Sequence, residues 1–182
     1  MKKFLLALAA VLAVATLAFA DQPELVALGN PALLTPFGQS QDANAVKLMT
    51  KKLNVEYEMA CFADRVDWPK YKTMIIVLGG SGKGLGAAGL DIPSELKRCQ
   101  DLVATAKEKG VKIIAMHIGG QDRRGPNSEP FLPFMGDADF AVVRADGNAD
   151  EYFTKLCAEK NVPLYTIEKT GDLRKVMPEL LK

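Results

Sequence analysis

Two short, strongly apolar runs with a helical segment between them occupy the middle of the chain. Residues 73–78 (Thr-Met-Ile-Ile-Val-Leu) and residues 111–117 (Val-Lys-Ile-Ile-Ala-Met-His) have the length and the β-branched content of strands. A strand that is apolar on both faces is typical of the centre of a parallel sheet covered by helices. Between the runs, Pro93 fits the first turn of a helix and Gly110 fits its C-terminal cap. The sequence therefore predicts a strand–helix–strand unit with both strands buried.

The same alternation extends over most of the chain. It predicts an α/β fold, a three-layer α/β/α sandwich with a mostly parallel sheet of five to six strands, flavodoxin-like or Rossmann-like. The favoured strand order is 2-1-3-4-5 with the sixth strand at an edge, and the fully wound order 3-2-1-4-5-6 is the alternative. The predicted strands are residues 32–34, 55–61, 73–78, 111–117, 140–144 and 163–167. The predicted helices are residues 41–53, 93–109, 149–160 and 172–182, with a short packed helix at 130–135.

The first twenty residues have the pattern of a secretory signal peptide. Lys2 and Lys3 form a basic start, residues 4–17 are apolar except for Thr16, and Ala18-Phe19-Ala20 is a small-x-small cleavage site. We expect cleavage after Ala20, export to the periplasm or beyond, and a single α/β domain over residues 21–182. An uncleaved anchor helix is the alternative. No later run is apolar for long enough to span a bilayer, so the cleaved protein is not expected to be membrane-embedded.

Composition excludes several classes of function. The formal net charge of +1 and the lack of a basic stripe argue against nucleic-acid binding. The three cysteines, Cys61, Cys99 and Cys157, match no metal or redox spacing and cannot build a disulfide scaffold, although one optional disulfide stays possible. We expect no cofactor and no metal. Trp68 and Tyr71 precede the third strand, so we interpret them as packing residues rather than a flavin platform.

A glycine-rich run, residues 79–89, directly follows the third predicted strand. Such a run can turn backbone N–H groups toward one point, which makes it a candidate cradle for a small anion. Residues 84–89 match the dinucleotide fingerprint G-x-G-x-x-G, but Pro93 delays the helix and the acidic partner is missing. Gly84 stands where a phosphate-binding loop needs a hydroxyl after Lys83. The alternative is a flexible connection without a ligand.

The favoured strand order brings two such loops to one crevice. In the order 2-1-3-4-5 the switch point lies between strands 1 and 3, beyond their carboxyl ends, where ligands bind in folds of this kind. Residues 35–40 and 79–89 would flank it, and the fourth strand would add the loop after His117. The candidate ligand-binding residues are Thr35, Gly38, Gln39, Ser40, Gly79, Gly80, Ser81, Lys83, Gly84, Gly86, His117, Gly119, Gly120 and Arg123.

Evidence for catalysis is weak. Ser81 and His117, the only histidine, are the candidate catalytic residues, but a general base also needs a nucleophile and an orienting acid within reach. The favoured interpretation of His117 is a hydrogen-bonded histidine at a strand end. Arg123 and Arg124 can clamp a carboxylate or phosphate, or can be ordinary loop charges.

The assembled motifs resemble a known family. The chain combines a signal peptide with residues 31–40 (Pro-Ala-Leu-Leu-Thr-Pro-Phe-Gly-Gln-Ser), residues 76–89 (Ile-Val-Leu-Gly-Gly-Ser-Gly-Lys-Gly-Leu-Gly-Ala-Ala-Gly) and residues 113–120 (Ile-Ile-Ala-Met-His-Ile-Gly-Gly). This pattern is similar to an uncharacterised family of secreted bacterial proteins, domain of unknown function 6305. The resemblance implies a secreted α/β domain with its motif residues in strand-end loops, and it implies no activity.

These observations favour a secreted binding domain for a small anionic metabolite held at the glycine loops. A small hydrolase or transferase that uses Ser81 or His117 is one alternative. A partner-binding accessory module of a membrane protein is another, and a homo-oligomer is possible.

Overall fold

The computed structural model describes residues 22–182, which form a six-stranded, all-parallel sheet with helices on both faces. The strands are β1 (Ala32–Phe37), β2 (Val55–Tyr57), β3 (Thr73–Leu78), β4 (Lys112–His117), β5 (Phe140–Arg144) and β6 (Leu164–Ile167). Their order is β2-β1-β3-β4-β5-β6. This order confirms the favoured topology and puts the switch point between β1 and β3. The predicted signal peptide, residues 1–20, lies outside the described residues.

In the described part of the chain, five α-helices complete the layers: α1 (Asp42–Met49), α2 (Gly82–Ala87), α3 (Ile92–Glu108), α4 (Tyr152–Lys160) and α5 (Leu173–Leu180). Helices α1 and α5 cover one face of the sheet through buried side chains such as Val46 and Leu173, and α3 and α4 cover the other through Leu102 and Phe153. Within residues 22–182, no helix combines the length and the apolar character needed to cross a membrane.

Two packing predictions agree with the structure. The segment predicted as a short packed helix is a 3₁₀ helix, Glu129–Asp137, whose Phe131 is fully buried against α3, α4 and the sheet. Trp68 and Tyr71 lie in the core below β3, and the indole nitrogen of Trp68 donates to the carbonyl of Ala63 at 2.8 Å. Both aromatic residues therefore serve packing.

The first two strands have other bounds than predicted. Strand β1 runs on through Pro36 to Phe37, three residues further than predicted, whereas β2 stops at Tyr57 instead of residue 61. The pairing of the two strands ends at Leu34 and Tyr57, so β2 does not reach Pro36. The missing N–H of Pro36 therefore costs no ladder bond on that side.

The glycine run is not the continuous loop that was expected, because it contains helix α2. The hydroxyl of Ser81 accepts a hydrogen bond from the N–H of Gly84 at 3.1 Å and so caps the helix. Leu85 is the one large side chain of α2 that is buried. Helix α2 is thus a short helix that is held by the Ser81 cap and by the buried side chain of Leu85.

Candidate functional site

The loops that follow β1 and β3 meet at the predicted switch point. The N–H of Gly79 donates to the carbonyl of Phe37 at 3.1 Å, and the N–H of Ser81 donates to the carbonyl of Gly38 at 2.9 Å. Gln39 and Gly80 also form an antiparallel bridge. The loops predicted to flank a ligand crevice therefore hydrogen-bond to one another and close it.

The predicted binding residues fall into two groups by burial. Eight are buried and contact a ligand only if the loops open: Thr35, Gly38, Gln39, Ser40, Gly79, Gly84, His117 and Gly120. Six reach the surface: Gly80, Ser81, Lys83, Gly86, Gly119 and Arg123. The backbone amides of the expected cradle are also largely committed. Besides the two bonds above, the N–H of Gly80 donates to the Ser128 hydroxyl at 2.8 Å and that of Gly84 to the Ser81 hydroxyl.

A buried ion pair fixes the loop that follows β1. The Glu95 carboxylate accepts from the N–H of Gly38 at 2.8 Å and from the side-chain amide of Gln39 at 3.1 and 3.2 Å. Both loop residues have positive φ, 80° and 57°, and a Cβ on Gly38 would lie 2.5 Å from the carbonyl oxygen of Gly79. Glu95 therefore holds the loop in a conformation that Gly38 makes possible.

Arg98 completes this buried cluster. Its guanidinium donates to Glu95 through Nε and Nη2, to the carbonyl of Pro36 at 2.6 Å and to that of Cys61 at 2.9 Å. Burial is the largest single influence and lowers the pKa of Arg98, but the hydrogen bonds to Glu95 and the neighbouring charges together raise the pKa above its ordinary value. Sequence reasoning missed both residues. The available signal was their spacing, because Glu95 and Arg98 share the apolar stripe of α3 with Leu102.

A third loop, residues 122–128, forms a small pocket against the glycine run. Its volume is about 260 Å³, and its lining consists of Gly80, Asp122, Arg123, Arg124, Gly125, Pro126, Asn127 and Ser128. The approach is so close that a Cβ on Gly80 would overlap the carbonyl of Asn127. The sequence predicted two members of this lining, Gly80 and Arg123, but not the segment 125–128.

The arginines in and near the pocket differ in how many hydrogen bonds their side chains donate to other residues. Arg124 donates to both carboxylate oxygens of Asp150, at 3.1 and 3.0 Å, and to the carbonyl of Gly147 at 2.9 Å. Arg144 makes a bidentate pair with Asp146 at 2.6 and 2.7 Å. This pairing lowers the pKa of Asp146 to about 2.

Arg123 is the exception. Its Nε lies 3.4 Å from Oδ2 of Asp42, and its side chain is 41% exposed. Within residues 22–182 its two terminal nitrogens donate no hydrogen bond. The side-chain amide of Asn127, which lines the same pocket, also lacks a partner among the described residues. The pocket therefore combines a guanidinium and an amide whose donors are free.

His117 is fully buried at the end of β4. Its Nδ1 lies 3.2 Å from the carbonyl oxygen of Leu78, its Nε2 lies 3.3 Å from that of Gly120, and its ring packs on Phe153 at a centroid distance of 5.0 Å. Burial lowers the pKa of His117, and the two carbonyl contacts act in the opposite direction. Both ring nitrogens thus face acceptors, and within residues 22–182 no serine hydroxyl bonds to the ring.

The three cysteines are free and buried. Burial raises the pKa of each thiol, that of Cys157 to about 11. The part of the chain that the structure describes contains no cluster of histidine, cysteine and carboxylate ligands suited to a metal ion.

A larger groove of about 530 Å³ lies along α3, away from the strand ends. Its lining includes Trp68, Arg98 and Lys109. Both cations are already paired, Arg98 with Glu95 and Lys109 with Glu108. The groove therefore offers a ligand fewer free donors than the pocket at Arg123.

Comparison with known proteins identifies a family and one distant structural match. No curated protein sequence matches the chain. Among solved structures, the psychrotrophic esterase EstA from Pseudoalteromonas sp., crystallised with the inhibitor monoethylphosphonate, aligns with 15% identity and a TM-score of 0.33. The alignment covers 76% of this chain and 78% of the esterase.

The sequence model of one protein family matches residues 29–181, which include all six strands and all five α-helices. This match confirms the resemblance carried by the three strand-end motifs. The chain belongs to the family described as domain of unknown function (DUF6305).

Proposed function

We propose that this protein is an exported binding domain for a small anionic metabolite, with Arg123 as the residue that holds the anion. The observation that carries the proposal is the uncommitted guanidinium of Arg123 in a pocket at the carboxyl edge of the sheet. Arginine recognises carboxylates and phosphates through paired N–H groups, and an arginine with free donors beside a concave surface is suited to that role.

The position of the pocket supports the same proposal. Gly80 follows β3, and the loop of residues 122–128 follows β4, so the pocket lies next to the switch point between β1 and β3. Ligands of doubly wound folds bind beyond the carboxyl ends of the strands in this region. Export is supported by the signal-like pattern of residues 1–20.

The described surface favours a small ligand over an apolar docking partner. Among residues 22–182, only Val26 and Leu48 are large hydrophobic residues with exposed side chains. A partner-binding face usually presents a contiguous apolar patch, whereas a small polar ligand needs only a few free donors. The pocket at Arg123 supplies such donors.

The test is to identify anions that co-purify with the protein from its native source. Wild type, Arg123→Gln and Arg174→Gln are purified in parallel, denatured, and the released small molecules are identified by mass spectrometry. Arg174 is exposed on α5, so its substitution makes the same change in charge away from the pocket. We expect a stoichiometric anion from wild type and from Arg174→Gln, and its loss from Arg123→Gln. Equal anion content in all three proteins, or none in wild type, would overturn the proposal.

A further inference from the structure

We infer that the pocket selects short monocarboxylates over dianions such as sulfate or phosphate, and that Asp42 and Asp122 impose this selection. The inference rests on the proposed function and names its ligand class. Three observations support it. The two terminal nitrogens of Arg123 donate no hydrogen bond within residues 22–182, carboxylates flank its guanidinium, and the N–H groups of the neighbouring glycine run already have acceptors.

The free edge of Arg123 matches a carboxylate. Asp42 lies on the Nε side of the guanidinium, at 3.4 Å, so the edge formed by the two terminal nitrogens remains for a ligand. That edge presents two parallel N–H groups, which match the two oxygens of a planar carboxylate. The side-chain amide of Asn127, which lines the same pocket, adds one more set of donors.

Charge around this edge is predominantly negative. Asp122 lines the pocket without an ion-pair partner among the described residues, and the Asp42 carboxylate, whose side chain is 17% exposed, stands beside Arg123. The charge of Arg124 is already offset by Asp150 and Glu129. A ligand at this edge therefore meets one cation flanked by two carboxylates, so each negative charge beyond the one that Arg123 binds adds repulsion.

Three backbone N–H groups of the glycine run are not available to a dianion. Tetrahedral oxyanions are usually held by several converging N–H groups. Here the N–H groups of Gly79, Gly80 and Ser81 are donated to Phe37, Ser128 and Gly38. A tetrahedral oxyanion at this edge therefore finds none of these three N–H groups free.

The pocket has room for the rest of a small organic acid. About 260 Å³ holds about nine groups of the size of a water molecule, at about 30 Å³ each. A monocarboxylic acid with a short chain fits this space.

Calorimetric titration of the full exported protein with propionate and with sulfate tests the inference. We expect wild type to bind propionate at least about tenfold more tightly than sulfate. Asp42→Asn combined with Asp122→Asn is expected to bring the two affinities together by a gain for sulfate. Asp64→Asn removes an exposed carboxylate near β2 and is expected to leave the ratio unchanged.

Each other outcome decides something. If neither anion binds to wild type, the selectivity for short monocarboxylates fails, whereas the proposed function is decided separately by the anion content of the purified protein. If sulfate binds as tightly as propionate, the selectivity is wrong while anion binding stands. If propionate is preferred but the double variant keeps the preference, the two carboxylates are not its source. Asp122→Asn, on an exposed loop residue, is measured alone as well, so that a folding defect of the Asp42 variant does not block the test.

Discussion

The carboxylate of Glu95 and the guanidinium of Arg98 form two hydrogen bonds of 2.7 Å with both side chains almost fully removed from solvent. The pair lies one turn apart on α3, yet its other partners belong to β1, to the loop after β1 and to the segment after β2. A helix on one face of the sheet thereby fixes the loop at the switch point.

Removal of one partner of this pair is expected to destabilise the fold strongly. Arg98→Ala leaves the buried Glu95 carboxylate without its counter-charge and leaves the carbonyls of Pro36 and Cys61 without this donor. We therefore expect a loss of about 3–5 kcal/mol in the free energy of unfolding. Lys97→Ala removes the neighbouring, exposed pair with Asp101 and is expected to cost about 0.5 kcal/mol or less. Urea unfolding measures both. Equal costs would contradict the structural role of Arg98.

Arg123 and Arg124, adjacent in sequence, are expected to differ in their effect on stability. Arg124→Gln breaks the bidentate pair with Asp150 and the packing of the guanidinium over Phe153, so we expect a loss of about 2 kcal/mol. Arg123→Gln removes only a long ion pair and is expected to be neutral within about 0.5 kcal/mol. Thermal unfolding compares the two variants. A large destabilisation by Arg123→Gln would mean that its guanidinium is structural, against the proposed role in binding.

Two glycines of α2 are expected to respond oppositely to alanine. A Cβ on Gly86 has no neighbour within 4 Å, so Gly86→Ala is expected to add about 0.5–1 kcal/mol of stability through helix propensity. A Cβ on Gly84 would lie 2.5 Å from the carbonyl oxygen of Gln39, so Gly84→Ala is expected to cost about 1–3 kcal/mol. The denaturant midpoints of both variants are compared with that of wild type. A stabilising Gly84→Ala would show that α2 does not pack on Gln39 as described.

His117 is expected to make the fold less stable in mild acid. Burial lowers its folded pKa below the ordinary value of 6.5. Between the folded value and 6.5 the unfolded chain binds more protons, so the stabilising contribution is present above 6.5 and is lost as the pH falls through the folded pKa.

Two measurements check this sign. His117 is the only histidine, so the NMR titration of its ring reads the folded pKa directly, and we expect a value below 6.5. Urea unfolding from pH 7 to pH 5 is expected to show a weaker pH dependence for His117→Gln than for wild type. A folded pKa above 6.5 would reverse the expectation.

The sequence was sufficient for the sheet but not for the shape of its carboxyl edge. The bounds of β3 and β5 agree with the prediction because the residues of each strand are mostly apolar and the strand pairs on both sides. Pro36 misled the assignment of β1, since its compatibility with a strand depends on where β2 ends, which is a long-range property.

In the candidate site, too, some features could be predicted from the sequence and others depend on long-range contacts. Arg123 and Gly80 could be predicted from their position after strands. The closure of the crevice could not, because it depends on hydrogen bonds between loops that are far apart in the chain, such as that from Gly80 to Ser128. Nothing local in residues 79–89 indicates that their N–H groups already have partners.

The close approach of Gly80 to the carbonyl of Asn127 places a shared steric constraint on two loops that follow different strands. A side chain at position 80 cannot coexist with the present path of residues 127–128, so a substitution there requires a compensating change of the other loop. The residue at this position in other members of the family therefore reports the width of their pockets. Relatives that keep glycine are expected to share the narrow pocket described for this chain, and relatives that carry a larger residue are expected to hold ligands of a different size.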